Sequence, residues 1–151
     1  MPLKREYFQE EIVSPITSLE TAIKVLDHAD FHKKVDNCMA KYPEIIPLIE
    51  KHAKRRNPDA QYWLGFMYLS GKGKKRIISS GINWLKKSSD NGNPDAAQLI
   101  GFLYFCGDAV PMCIETALYW YKVSFENGSK TVVPDYIRAY SLYYKIKKAS
   151  A

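Results

Sequence analysis

From residue 57 onward, apolar positions recur at helical spacing. Ala60, Leu64, Met67, Tyr68 and Gly71 follow steps of three and four, and Ile78, Ile82, Leu85 and Ser89 form a second such line with Trp84 beside it. Boundary residues frame these lines. Asn57 is a good N-cap, Pro58 suits the first helical position, and Asp59 complements the positive helix end. Gly71 and the pair Asn91-Gly92 stand where a helix stops in a left-handed conformation. The pattern predicts helices over 58–70, 77–90, 94–106, 113–126 and 134–148, and no strand. Upstream the lines are less regular. Thr17-x-x-Glu20 reads as a capping box opening a helix to about His28. Further helices are expected from about Asp30 to Lys41 and from Pro43 or Pro47 to Arg56, and residues 4 to 13 are another candidate.

The two regular stretches are copies of each other. Asn57-Pro58-Asp59-Ala60 returns as Asn93-Pro94-Asp95-Ala96, and in the same register Gly65, Phe66, Tyr68 and Gly71 return as Gly101, Phe102, Tyr104 and Gly107. Ile78, Trp84, Lys86, Ser88 and Asn91-Gly92 return as Ile114, Trp120, Lys122, Ser124 and Asn127-Gly128, so 14 of 36 positions are identical. A fixed period of this size marks a helical solenoid, a class of fold that mostly presents surfaces for binding other molecules. Gly65 and Gly101 lie inside helices, where glycine costs about 1 kcal/mol relative to alanine. The cost recurs at one repeat position, so a neighbouring helix is expected to approach too closely for a Cβ.

Specific motifs carry a resemblance. Ala60-x-x-x-Leu64-Gly65-x-x-Tyr68-x-x-Gly71-x-Gly73, then Gly81-x-x-Trp84-Leu85, then Ser88-Ser89-x-x-Gly92, is similar to the Sel-1-like repeat (SLR), a relative of the tetratricopeptide repeat. The second unit matches with Ala96, Ile100-Gly101, Tyr104, Gly107, Val110, Ala117, Trp120-Tyr121, Ser124 and Gly128, and the two together span about half the chain. Val132-x-x-Asp135-Tyr136-x-x-Ala139-x-x-Leu142-Tyr143 resembles the loop and second helix of a further unit whose first helix is missing. The sequence departs from the pattern where the second helix begins, with Ile77 and Cys113 in place of the usual Asp, at Ala109 in place of the second loop Gly, and at Ser124-Phe125. The resemblance implies an all-α, right-handed solenoid of two clear repeats, 57–92 and 93–128. N-terminal helices (1–56) would precede them, and a terminal helix (129–151) would cover the open end, all in one domain.

The resemblance also implies that the first helix of each unit lines a concave surface. On it, Trp63, Phe66 and Ser70 in one unit and Leu99, Phe102 and Cys106 in the next form offset lines at i, i+3, i+7. Trp63 and Leu99 stand where the family commonly has a polar residue. These six positions are the expected partner-binding site, since apolar patches rich in Trp mark interface centres.

Composition narrows the function. The chain has 151 residues, 46% apolar and 25% charged, and a formal net charge of +6. No stretch approaches 18 apolar residues, and the start of the chain has charges where a secretory segment would be apolar, so a cytoplasmic protein away from membranes is expected. Cys38, Cys106 and Cys113 make no disulfide framework or metal signature, and mostly buried thiols are expected. His28-x-x-x-His32 could hold zinc but lacks a Glu and a third ligand, so surface histidines are the reading. Glu10-Glu11 point to different helix faces. Gly71-Lys72-Gly73-Lys74-Lys75 looks like a phosphate cradle but falls where the fold places a loop. The tyrosines Tyr136, Tyr140, Tyr143 and Tyr144 read as the apolar stripe of the terminal helix.

These features point to a protein-binding module with no chemistry, metal, cofactor or small-molecule substrate. The net charge implies a partner with an acidic surface, and the chain's size suits a dedicated inhibitor such as a bacterial immunity protein neutralising a toxin. The alternative is a nucleic-acid accessory protein acting through Lys51–Arg56, Lys72–Arg76 and Lys145–Lys148.

Overall fold

The computed structural model describes residues 16–28 and 35–151, and every regular element in them is helical. In chain order these are α1 (Leu19–His28), α2 (Val35–Lys41), α3 (Ile45–Lys54), α4 (Pro58–Ser70), α5 (Ile78–Asp90), α6 (Pro94–Cys106), α7 (Ile114–Glu126) and α8 (Val133–Ala149). The candidate helix at residues 4 to 13 lies outside the described residues. Helices stack in sequence, α4 on α5 and α6 on α7 within units, with α3 on α4, α5 on α6 and α7 on α8 between them.

Capping follows the sequence closely. The Asn57 and Asn93 side chains accept from the Ala60 and Ala96 amides at 2.9 and 3.0 Å, and Gly71 and Gly107 end their helices at φ 77° and 75°. At the α1 start the cap differs from expectation, because Ser18 Oγ, rather than Thr17, accepts from the Thr21 amide. The second helices begin without a side-chain cap, since Ile77 and Cys113 bring no side-chain oxygen to the helix start. Their amides instead donate back to the Tyr68 and Tyr104 carbonyls, which ties each loop to its first helix.

The intrahelical glycines are contact points. A Cβ on Gly65 would lie 2.9 Å from Leu85 Cγ and 3.0 Å from the Gly81 carbonyl, and one on Gly81 would lie 3.0 Å from the Gly65 carbonyl. A Cβ on Gly101 would lie 2.6 Å from the Tyr121 ring. Buried serines lock the same helix pairs. Ser88 Oγ donates to the Pro58 carbonyl at 2.6 Å, and Ser124 Oγ to that of Pro94 at 2.8 Å.

Among the described residues the core is a chain of three clusters. The first joins Val25 and Leu26 of α1, Ile45 and Ile49 of α3, and Trp63 and Met67 of α4; the second joins α4, α5 and α6; the third joins α7 and α8. The terminal helix covers α7 with Ala139, Leu142 and Tyr143, while Tyr136, Tyr140 and Tyr144 are exposed rather than packed. Ala139 is small enough to bring α8 close, so the tyrosines one residue round the helix turn outward.

Candidate functional site

The six expected site residues fall into two groups. Trp63 is 1% exposed and Phe66 8%, their rings edge to face at 5.6 Å inside the first cluster. Their expected exposure is corrected by the N-terminal helices, which carry Val25, Leu26, Ile45 and Ile49 into that same cluster. Ser70 is half-buried, and its hydroxyl donates back to the Phe66 carbonyl. One unit later the same line has no such cover. Leu99 is half-buried, Phe102 is 49% exposed and Cys106 is exposed.

Leu99 and Phe102 form one side of an open groove of about 330 Å³, whose other walls are Tyr62 of α4, Asp95 and Gln98 of α6, and Asp135 of α8. Three alternate helices, α4, α6 and α8, therefore build it, and the loop before α8 holds its far wall in place. Gln98 Nε2 donates to Asp135 Oδ2 at 2.8 Å, while its Oε1 accepts from Thr131 at 3.1 Å and Ser129 at 3.4 Å. Burial, then the nearby carboxylates of Asp95 and Asp27, push the Tyr62 phenol well above its usual range, so it stays a neutral hydroxyl. Partial burial and the Asp59 carboxylate also push Asp95 up. Sequence reasoning missed Tyr62, Asp95, Gln98 and Asp135. Asp95 and Asp135 lie in first helical turns, where acids are already explained by the helix dipole, and Gln98 carries no signal.

The other candidate chemistry does not assemble. Among the described residues no group of His, Cys, Asp and Glu could hold a metal; the His28 side chain and His32 lie outside them. The expectation of burial is corrected, because Cys38 and Cys113 are half-buried and Cys106 is exposed, and none of the three is in a disulfide among the described residues. Cys106 ends α6 and Cys113 immediately precedes α7, while Cys38 lies mid-α2 at the margin of the first cluster. The Gly71–Lys75 loop is structural: Lys74 pairs with Glu50, Arg76 Nε donates to the Leu69 carbonyl, and Gly73 packs on Met39 and Ile46. No described helix is long and apolar enough to cross a membrane.

The Sel1 repeat family model matches residues 58–93, 94–129 and 121–149. The chain belongs to the Sel1 repeat family. The third match overlaps the second and runs from the end of α7 through α8. A Sel1 repeat protein from Oxalobacter formigenes has a crystal structure that superposes with a TM-score of 0.65 at 26% identity, over 83% of this chain and 50% of that one. A protective antigen present in uropathogenic Escherichia coli strains, displaying an SLR fold, superposes with a TM-score of 0.55 at 23% identity, over 76% of this chain and 23% of that one. This chain thus spans half the length of the first and about a quarter of the second. No curated protein matches it in sequence. Sel1 repeats are protein–protein interaction modules.

Proposed function

We propose that this chain is a non-catalytic scaffold that binds a partner protein through the groove on its second unit, with Phe102 and Leu99 as the apolar contact. The observation that carries this is positional. One register of the repeat holds Trp63 and Phe66 under the N-terminal helices, whereas its copy holds Leu99 and Phe102 at an open groove. Large apolar side chains left exposed beside a concavity favour docking over folding. A cytoplasmic location and a bacterial source fit this reading. The narrower role of a toxin inhibitor rests on chain size alone, and no groove residue adds to it. The acidic partner inferred from net charge concerns the basic loops, because the groove has the opposite sign.

Site-specific photo-crosslinking from position 102 in the native host tests the proposal. It expects one dominant protein adduct, lost with Leu99→Lys and unaffected by Tyr119→Lys on the exposed part of α7. Equal labelling from 102 and 119 overturns it. A second reading has its own observation. The Tyr136 and Tyr140 rings stack at 6.2 Å on a helix that also carries Arg138, Lys145, Lys147 and Lys148, an arrangement suited to single-stranded nucleic acid. Steeply salt-dependent binding of an oligonucleotide, abolished by Tyr140→Ala, would favour it.

A further inference from the structure

The partner's chemistry follows from charges that the net total conceals. The chain carries +6, yet the described residues lining the groove include two carboxylates, Asp95 and Asp135, and no cation. Asp95 forms no hydrogen bond or ion pair among the described residues, and Asp135 commits only Oδ2, to Gln98. Asp59 and Asp27 add negative potential from α4 and α1, close enough to act on Asp95 and Tyr62. Several of the described basic residues are paired or lie elsewhere. Lys74 is paired with Glu50, and Lys54, Arg56 and Lys87 line a separate cleft beside Trp84. Arg138, one turn along α8 from Asp135, is not part of the groove lining.

Beside the carboxylates lie the Leu99 and Phe102 side chains and the Tyr62 ring, with Asp95, Leu99 and Phe102 at i, i+4, i+7 along one line of α6. A cationic side chain set between Asp95 and Asp135 would place its neighbours in sequence on Leu99 and Phe102. Arginine suits this geometry better than lysine, because its planar fork can serve two carboxylates while its face lies on an aromatic ring.

We infer that the groove takes a basic–apolar peptide segment of its partner, an arginine or lysine flanked by apolar residues, through Asp95, Asp135, Tyr62 and Phe102. This rests on the docking role proposed above, and the test separates the two. A random heptapeptide library is displayed and selected on the full chain, and the selected peptides are measured by titration against wild type, Phe102→Lys and the double variant Asp95→Asn with Asp135→Asn. Circular dichroism confirms that each variant is folded. The inference expects peptides enriched in Arg or Lys beside Leu, Phe or Trp and excluded by Phe102→Lys. It also expects about tenfold or greater weakening in the double variant, the scale of losing charge-assisted hydrogen bonds. Apolar or acidic peptides that bind at the groove with no response to the double variant overturn the basic specificity and leave the docking role standing. Selection of no peptide sensitive to Phe102→Lys overturns both.

Discussion

Replacing Gly101 with alanine sets two known effects against each other at one atom. Alanine in a helix interior is favoured over glycine by about 1 kcal/mol, so an open site would make the variant more stable. Here the added methyl would meet Tyr121 Cδ1 at 2.6 Å and Cε1 at 2.7 Å, with the Ala117 carbonyl at 3.2 Å. Ordinary carbon contacts begin near 3.5 Å, so the overlap is about 1 Å. Tyr121 is 1% exposed and packs in the third cluster, so its ring cannot swing out to solvent. Either the ring or the α6–α7 spacing must move, and overpacking of this kind costs about 1–3 kcal/mol. The expected net is a loss of up to about 2 kcal/mol, and each kcal/mol lowers the melting temperature of a domain this size by about 2–4 °C. Gly101→Leu, with more atoms and the same backbone gain, should lose more. Gly65→Ala should lose less than Gly101→Ala, because its nearest neighbour is the Leu85 side chain at 2.9 Å rather than an enclosed ring. Urea denaturation followed by circular dichroism reads all three. A gain of stability at Gly101→Ala would show that α6 and α7 do not meet at this residue.

Four further outcomes are expected. Trp63→Ala should destabilise by about 3–5 kcal/mol through the cavity it leaves, and a variant of near wild-type stability in urea would mean that the N-terminal helices do not cover α4. Ile77→Asp should stabilise by about 1 kcal/mol, because Ile77 has an extended backbone at an uncapped helix start and is 40% exposed; an unchanged melting temperature would mean that the Asp side chain does not reach the α5 amides. Arg56 has φ 64° at the repeat position filled by Gly92 and Gly128, so Arg56→Gly should relieve strain and raise the urea midpoint by the equivalent of about 1 kcal/mol, and a lowered midpoint would show that the hydrogen bond Arg56 Nη2 donates to Asn91 Oδ1 at 3.3 Å outweighs it. Asp95 binds its proton more tightly folded than unfolded, so the stability it adds is complete at acid pH and is lost as pH rises from the ordinary carboxylate range through its raised value. Asp95→Asn should flatten that part of the stability–pH curve, and a curve identical to wild type would mean that neither burial nor the Asp59 carboxylate acts on Asp95.

The sequence alone determined the helices of the repeat, because the information for them is local. Asn57 and Asn93 cap their own helices, Gly71 and Gly107 end them, and the apolar lines at steps of three and four state which face is buried. The close approach at Gly65 and Gly101 was legible too, since a cost taken twice at one register position has to be offset by packing. Other features depended on which elements meet. Trp63 and Leu99 occupy the same register of the same motif, and their own surroundings in sequence give no reason for different fates. Only the fold of α1 and α3 over α4 buries the first and leaves the second open. The groove belongs to the same category. Asp95 and Asp135 are 40 residues apart, each with a local explanation as a helix-start acid, and the meaning of the pair appears when α6 and α8 set them around one concavity. Net charge is a sum over the chain and carries no position, which is why a chain of +6 can present an acidic groove: electrostatic recognition depends on the field at a site, and tertiary structure decides which charges share one.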